Sequence, residues 1–102
     1  MKDGFSNVAI QITSFVTPHN PGIVEGKLQD AEGVVHTFVD KVPLFTSEML
    51  DASSQYPQNG DLECEVLSRW QSTSGQSLVR IRTIESTEGI SEFVVLSSQI
   101  SD

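Results

Sequence analysis

Cysteine is almost missing from this chain: Cys64 is the single one in 102 residues. One thiol cannot make an internal disulfide, so the fold has to rest on its packed core. Histidine is nearly as scarce, with only His19 and His36, and neither stands in a local ligand pattern with Cys64. No metal and no cofactor is therefore expected. Apolar runs of about 18 residues, the length a spanning helix needs, do not occur. The opening residues Met1–Gly4 lack the apolar stretch of a signal peptide, which makes cytoplasmic the default location. Basic side chains are few as well: 6 against 14 acidic ones, for a net charge of −8. That balance excludes ordinary nucleic-acid binding and attraction to an anionic membrane, both of which rest on Lys and Arg. It permits a basic protein partner, captured as small inhibitor proteins capture theirs, and its plainer consequence is solubility.

What is present is alternation. Leu62, Cys64 and Val66 alternate with Glu63 and Glu65; Val79 and Ile81 with Arg80 and Arg82; Val94 and Leu96 with Phe93 and Val95. Period two marks strands with unlike faces. The connections Ser72–Gly75 and Ser86–Gly89 are four small or polar residues ending in glycine, which suits a four-residue hairpin loop whose last residue needs positive φ. Setting Gln71 opposite Gln76 places Val66 opposite Ile81, Ser68 opposite Val79 and Glu65 opposite Arg82. Setting Glu85 opposite Ile90 places Ile81 opposite Val94 and Arg82 opposite Phe93.

The first half repeats the design without a residue-level repeat. Val8, Ile10 and Ile12 form a first strand whose alternation slips at Ser14–Val16, the mark of a bulge. Thr17–Gly22 is dense in turn formers, with Pro21-Gly22 suited to a type II turn. Val24, Gly26 and Leu28 form a second strand, and Gly26 in mid-strand points to close backbone approach. The loop Asp30–Gly33 again ends in glycine. Setting Gln29 opposite Val34 puts Val35, Thr37 and Val39 on the inner face, and His36 and Phe38 on the outer one. Between the two meanders, Pro43 stops a strand, Thr46–Asp51 reads as a short helix capped by Thr46 or Ser47, and Ser53–Gly60 reads as loop. The tail from Ser97 reads as frayed.

The expectation is one all-β domain with a single short helix, in the order β-β-β-α-β-β-β: a meander at 7–40, a crossover at 41–61 and a meander at 62–97. Such a chain makes a small β-barrel, or two packed three-stranded meanders. The first five strands, with the helix after the third, resemble an OB-fold in element order alone, and element order carries no function.

No catalytic constellation stands out. Cys64 faces inward and reads as an inert thiol. The outer faces offer more: His36 and Phe38 on one side, Arg80, Arg82 and Phe93 on the other, with Arg82 placed over Phe93. Outward aromatics have two readings. They pack under the crossover as a second small core, or they anchor an interface. Trp70 falls on the inner face near a strand end, as a cap of the barrel mouth or a stacking platform. Three functions follow. The first is a non-enzymatic module that binds a protein through His36, Phe38, Arg80, Arg82, Phe93 or Trp70. The second is a small-ligand barrel with its site at Trp70, Tyr56 and the crossover. The third is an enzyme using Glu25 and His36 as an acid–base pair. Homodimerisation through free strand edges is a further expectation.

Overall fold

The computed structural model describes residues 5–18 and 21–101. A loose lead-in is expected over residues 1–6, but Phe5 and Ser6 already belong to the first strand, and the rest of that stretch, like the middle of the turn at Thr17–Gly22, lies outside the described residues. Seven strands are formed: β1 (Phe5–Thr17), β2 (Ile23–Gln29), β3 (Val35–Lys41), β4 (Gln58–Gln71), β5 (Ser77–Arg82), β6 (Glu92–Leu96) and β7 (Ile100–Ser101). They make one antiparallel sheet in the order β3-β2-β1-β4-β5-β6, with β7 returning to pair with β1. The sheet curls into a half-barrel, because β1 belongs to both meanders. Its later half pairs with β2, its earlier half with β4, and β7 meets it at Asn7 and Val8.

The inner faces of β1, β2 and β4 are as the alternation predicts. Val8, Ile10, Ile12, Val24, Leu28, Leu62 and Cys64 are buried. The expected slip is present too, as register shifts between Ile12 and Ser14 and between Phe15 and Thr17. Gly26 is closely approached, by a side chain and not by backbone as expected: a Cβ there would stand 2.9 Å from Ile10 Cδ1, against 3.8 Å from the Gln11 carbonyl oxygen.

The loops differ from expectation by one residue, and that residue decides much of the core. In each, the first residue faces the one after the glycine. The N–H of Asp30 donates to the Val34 carbonyl at 2.9 Å, that of Ser72 to Gln76 at 2.9 Å, and that of Ser86 to Ile90 at 2.8 Å. The glycine N–H turns back to the first carbonyl, and Gly33, Gly75 and Gly89 take φ of 84°, 89° and 80°. The side-chain oxygen of the first residue accepts the N–H that follows the glycine, at 3.0 Å on Asp30, 3.1 Å on Ser72 and 3.2 Å on Ser86. These are three-residue loops, a type I turn followed by a left-handed glycine.

A one-residue change of register turns every side chain of a strand over. In β3, Phe38 therefore faces Gly26 and His36 faces Leu28, so both point inward, while Val35 and Val39 are exposed. In β6 the register is Ile81 with Phe93 and Val79 with Val95, so Phe93 and Val95 fill the core instead of Val94 and Leu96. Ile84 and Glu85 lie outside that ladder, between the Thr83 N–H bond to Ser91 at 2.8 Å and the turn. In β4–β5 the far end keeps the expected pairs, Glu65 with Arg82 and Val66 with Ile81. The shift at the turn is taken up by a bulge at Leu67, which sets Trp70 opposite Leu78 on the outer face. The two readings of Phe38 and Phe93 as outward residues are thus both corrected. Their rings meet edge-on inside the main core, 5.9 Å apart at 66°. Such a pair adds about 0.5–1.5 kcal/mol to its area burial.

The expected helix at Thr46–Asp51 is not formed. A 3-10 turn at Val42–Leu44, with Pro43 in its first turn, leads the chain inward, and Val42 and Phe45 are buried there. Beyond it the polar side chains close local turns instead: Thr46 Oγ1 accepts the Glu48 N–H at 3.1 Å, and Asp51 Oδ1 accepts that of Ser53 at 2.9 Å. Met49 is 96% exposed and within Thr46–Asp51 only Leu50 packs on the core, too little apolar surface to hold a helix against the sheet. β4 starts earlier than the Asn59-Gly60 turn signal suggests. Gly60 pairs with Ile10, and a Cβ on it would lie 2.7 Å from the Phe45 carbonyl oxygen, which accepts the Asp61 N–H at 2.8 Å. This glycine serves close approach, not a turn. The tail, expected to be frayed, is ordered over Ser97–Ser101. After a 3-10 turn at Ser97–Gln99 it becomes β7, and Gln99 donates to the Gln29 carbonyl at 2.8 Å. Among the described residues no helix is long and apolar enough to cross a membrane.

Candidate functional site

The outer face of β4–β5–β6 is built in three rows. Trp70, Leu78 and Leu96 form the first, Ser68, Arg80 and Val94 the second, and Glu65, Arg82 and Glu92 the third. The core-facing residues Val79, Ile81, Phe93 and Val95 dictate this, because their neighbours in sequence must point the other way. Trp70 is 38% exposed, so it neither caps the barrel mouth nor fills the core. It also stands at the far end of the 14-residue β4 from the crossover, so Trp70, Tyr56 and the crossover do not form one site. Tyr56 instead donates its hydroxyl to the Asp51 carbonyl at 2.8 Å.

Arg82 lies between two carboxylates, with its guanidinium donating to Glu65 Oε1 at 3.2 Å and to Glu92 Oε2 at 3.3 Å. The expected Glu65–Arg82 pair is present. The placing of Arg82 over Phe93 is not, because Phe93 has turned inward and Glu92 has taken its place. These groups are about half exposed, so each pair is worth about 0.2–1 kcal/mol. Arg80 makes no ion pair with any described residue.

The β2–β3 loop folds over the edge of β6, where the Ala31 N–H donates to the Val94 carbonyl at 2.9 Å. Farther along, Thr87 N–H donates to the Thr37 carbonyl at 2.8 Å. The two outer strands of the curled sheet, β3 and β6, thus meet through loops and side chains. Phe93 fills this seam, with the His36 ring 4.6 Å from its own. His36 Nε2 lies 2.8 Å from Asp30 Oδ2, and both side chains keep a little exposure. Burial pushes the Asp30 carboxyl up, but the His36 hydrogen bond, the N–H groups of Val34 and Glu32, and the imidazole charge together outweigh it. The net effect holds Asp30 below the ordinary carboxylate value. This pair borders a cavity of about 390 Å³, lined also by Glu32, Leu78, Arg80, Glu92, Phe93 and Val94.

Of the predicted binding residues, His36, Arg80 and Phe93 therefore come together in one cavity. Trp70 stands on the adjoining row, Arg82 is tied to its carboxylates, and Phe38 lies wholly in the core. Glu25 and His36 do not converge. Glu25 is on the opposite face, accepting the Thr13 hydroxyl at 2.7 Å, while His36 is held by Asp30. Cys64 is buried, and burial followed by the Glu63 charge pushes its thiol up to about 11, which makes it a poor nucleophile. Among the described residues no three His, Cys, Asp or Glu side chains are grouped to hold a metal ion. Sequence reasoning missed Asp30, Leu78 and Leu96. Asp30 heads a glycine loop six residues before His36, and the three-residue loop places the two on one side of the hairpin. Compared with family models, curated proteins and solved structures, the chain has no significant match, so its site is read from its own chemistry.

Proposed function

We propose that this protein is a non-enzymatic module that binds another protein through the outer face of β4–β5–β6. The observation that carries the reading is the row Trp70–Leu78–Leu96, an exposed aromatic in register with two half-buried leucines and flanked by Arg80. Trp and Arg are the side chains that most often dominate binding energy at protein interfaces. The strand path β3-β2-β1-β4-β5 supports an OB-like reading of the sheet, without the helix of that order. Trp70→Ala tests the function: it should leave the melting temperature within a few degrees of wild type and abolish capture of a partner that the parent protein retains. Equal capture by both proteins would remove the basis of the proposal.

A second reading is favoured by the neighbouring cavity, whose walls combine Arg80, His36 and Glu92 with the Phe93 ring. A small polar ligand that raises the melting temperature of the parent but not of Arg80→Ala would support it.

A further inference from the structure

We infer that Asn59–Gly60 is a self-modification site: the Asn59 carboxamide is converted to aspartate or isoaspartate when the adjoining end of the β1–β4 ladder opens.

The residue pair sets the chemistry. Of Asn7, Asn20 and Asn59, only Asn59 is followed by glycine; Val8 and Pro21 follow the others. The Gly60 amide nitrogen can attack Asn59 Cγ and close a five-membered succinimide. A bond forms between that nitrogen and Cγ, the bond from Cγ to the carboxamide nitrogen breaks, and ammonia leaves with the proton of the attacking N–H. Water then opens the ring at either carbonyl, giving aspartate or isoaspartate. Nothing is oxidised or reduced, and water is the one co-reactant. Glycine leaves the attack uncrowded. Proline has no N–H to give up, and valine is branched at Cβ.

Packing explains why the reactive pair is kept. A Cβ on Gly60 would stand 2.7 Å from the Phe45 carbonyl oxygen and 2.9 Å from Ile12 Cδ1, so a shielding side chain cannot be placed there.

The same strand supplies a gate. Asn59 is exposed, so water reaches it. Its extended backbone, however, carries the Gly60 nitrogen away from its own side chain, and Gly60 is held opposite Ile10. Gln11 Nε2 donates to Asn59 Oδ1 at 2.6 Å and pins the carboxamide. Gln58–Ile12 is the last pair of this ladder and Asn59–Gln11 the next. Parting three pairs from that end frees the reacting atoms, an opening far smaller than unfolding of the core. Isoaspartate lengthens the backbone by one methylene, so Gln58 no longer meets Ile12 in register. The modification therefore keeps the end open after the chain has closed elsewhere.

The experiment follows the full chain in mildly alkaline buffer by peptide mapping, with and without denaturant, and scores isoaspartate by enzymatic methylation. The expected result is loss of ammonia at Asn59 ahead of Asn7 and Asn20, at least about tenfold slower in the folded chain than in the unfolded one. Low denaturant should leave the folded rate nearly flat, because local opening exposes little surface. Gln11→Ala should raise the folded rate about three- to tenfold, the equivalent of one hydrogen bond. Circular dichroism establishes that this variant is folded. Loss of ammonia first at Asn7 or Asn20 overturns the site. Equal rates in the folded and unfolded chains overturn the gate, as does a Gln11→Ala rate no higher than wild type. A folded chain that stays unmodified, or a rate that climbs steeply from the lowest denaturant, assigns the reaction to global unfolding and overturns the inference.

Discussion

Replacing Phe38 by alanine tests the register of β3 directly. Phe38 is 0% exposed, stands opposite Gly26 and meets the Phe93 ring edge-on. Truncating such a ring removes its transfer free energy and leaves a cavity, at a cost of about 3–5 kcal/mol. Of this, about 0.5–1.5 kcal/mol is the lost ring pair. A domain of this size loses roughly 4–8 °C for each kcal/mol, so the melting temperature should fall by roughly 12–40 °C. Val39→Ala is the matched control. Val39 is 45% exposed, and its truncation should change stability by about 0.5 kcal/mol or less. With a four-residue loop the two roles would be exchanged, Val39 packing on Val24 and Phe38 facing water. Scanning calorimetry on both variants separates the cases. A Phe38→Ala protein that melts within a few degrees of wild type, beside a Val39→Ala protein that collapses, would refute the three-residue loop and the core built on it.

Gly60→Ala should cost about 1–3 kcal/mol by overpacking, because its Cβ would press on the Phe45 carbonyl and on Ile12; a chemical denaturation midpoint equal to wild type would contradict the close approach. The Asp30 carboxyl titrates lower in the folded chain than in the unfolded one, so its contribution to stability is complete above about pH 3.8 and is lost as pH falls through the folded value. Asp30→Asn should therefore be less stable than wild type at neutral pH, and the gap in melting temperature should narrow as pH falls below that point; a gap constant with pH would assign the loss to packing alone. Cys64, buried and with its thiol pushed up to about 11, should resist a thiol reagent at pH 8 in the folded protein and react on unfolding. Rapid labelling of the native chain would place the side chain at the surface.

Faces were legible where alternation spoke alone. Val8, Ile10 and Ile12, or Leu62 and Cys64, have polar neighbours, and only one assignment of each strand buries the apolar set. β3 and β6 carry apolar residues on both faces: Val35 and Val39 against Phe38, and Val94 and Leu96 against Phe93 and Val95. There the pattern cannot choose, and the decision passes to loop length, where a single residue reverses the answer. A four-residue segment ending in glycine fits two loop types. The difference lies in whether the first residue pairs across the loop, as Asp30, Ser72 and Ser86 do with help from their side-chain oxygens. The candidate site inherited this ambiguity. Its aromatics and arginines were visible as residues, but their faces were not, and the Leu67 bulge that turns Trp70 outward leaves no mark in the composition. The missing helix has a different cause. Thr46 and Asp51 are good capping residues, yet of the segment between them only Leu50 packs on the core, and the same polar side chains serve tight turns equally well.

The return of β7 to β1 sets the order in which the molecule can assemble. Asn7 and Val8 find their partners in Ser101 and Ile100, across nearly the full length of the chain, and the β1–β4 ladder spans more than forty residues at every pair. Four of the six strand pairings join consecutive strands and can mature locally, but the β1–β4 and β1–β7 pairings that unite them need a long search, which places folding on the millisecond-to-second scale typical of β proteins. Until Ile100 docks, that part of β1 offers unpaired amide and carbonyl groups to any strand that passes. A second nascent chain carries the same β7. Exchange of that two-residue strand between copies is thus the misassembly this topology invites, and production at high concentration will favour it.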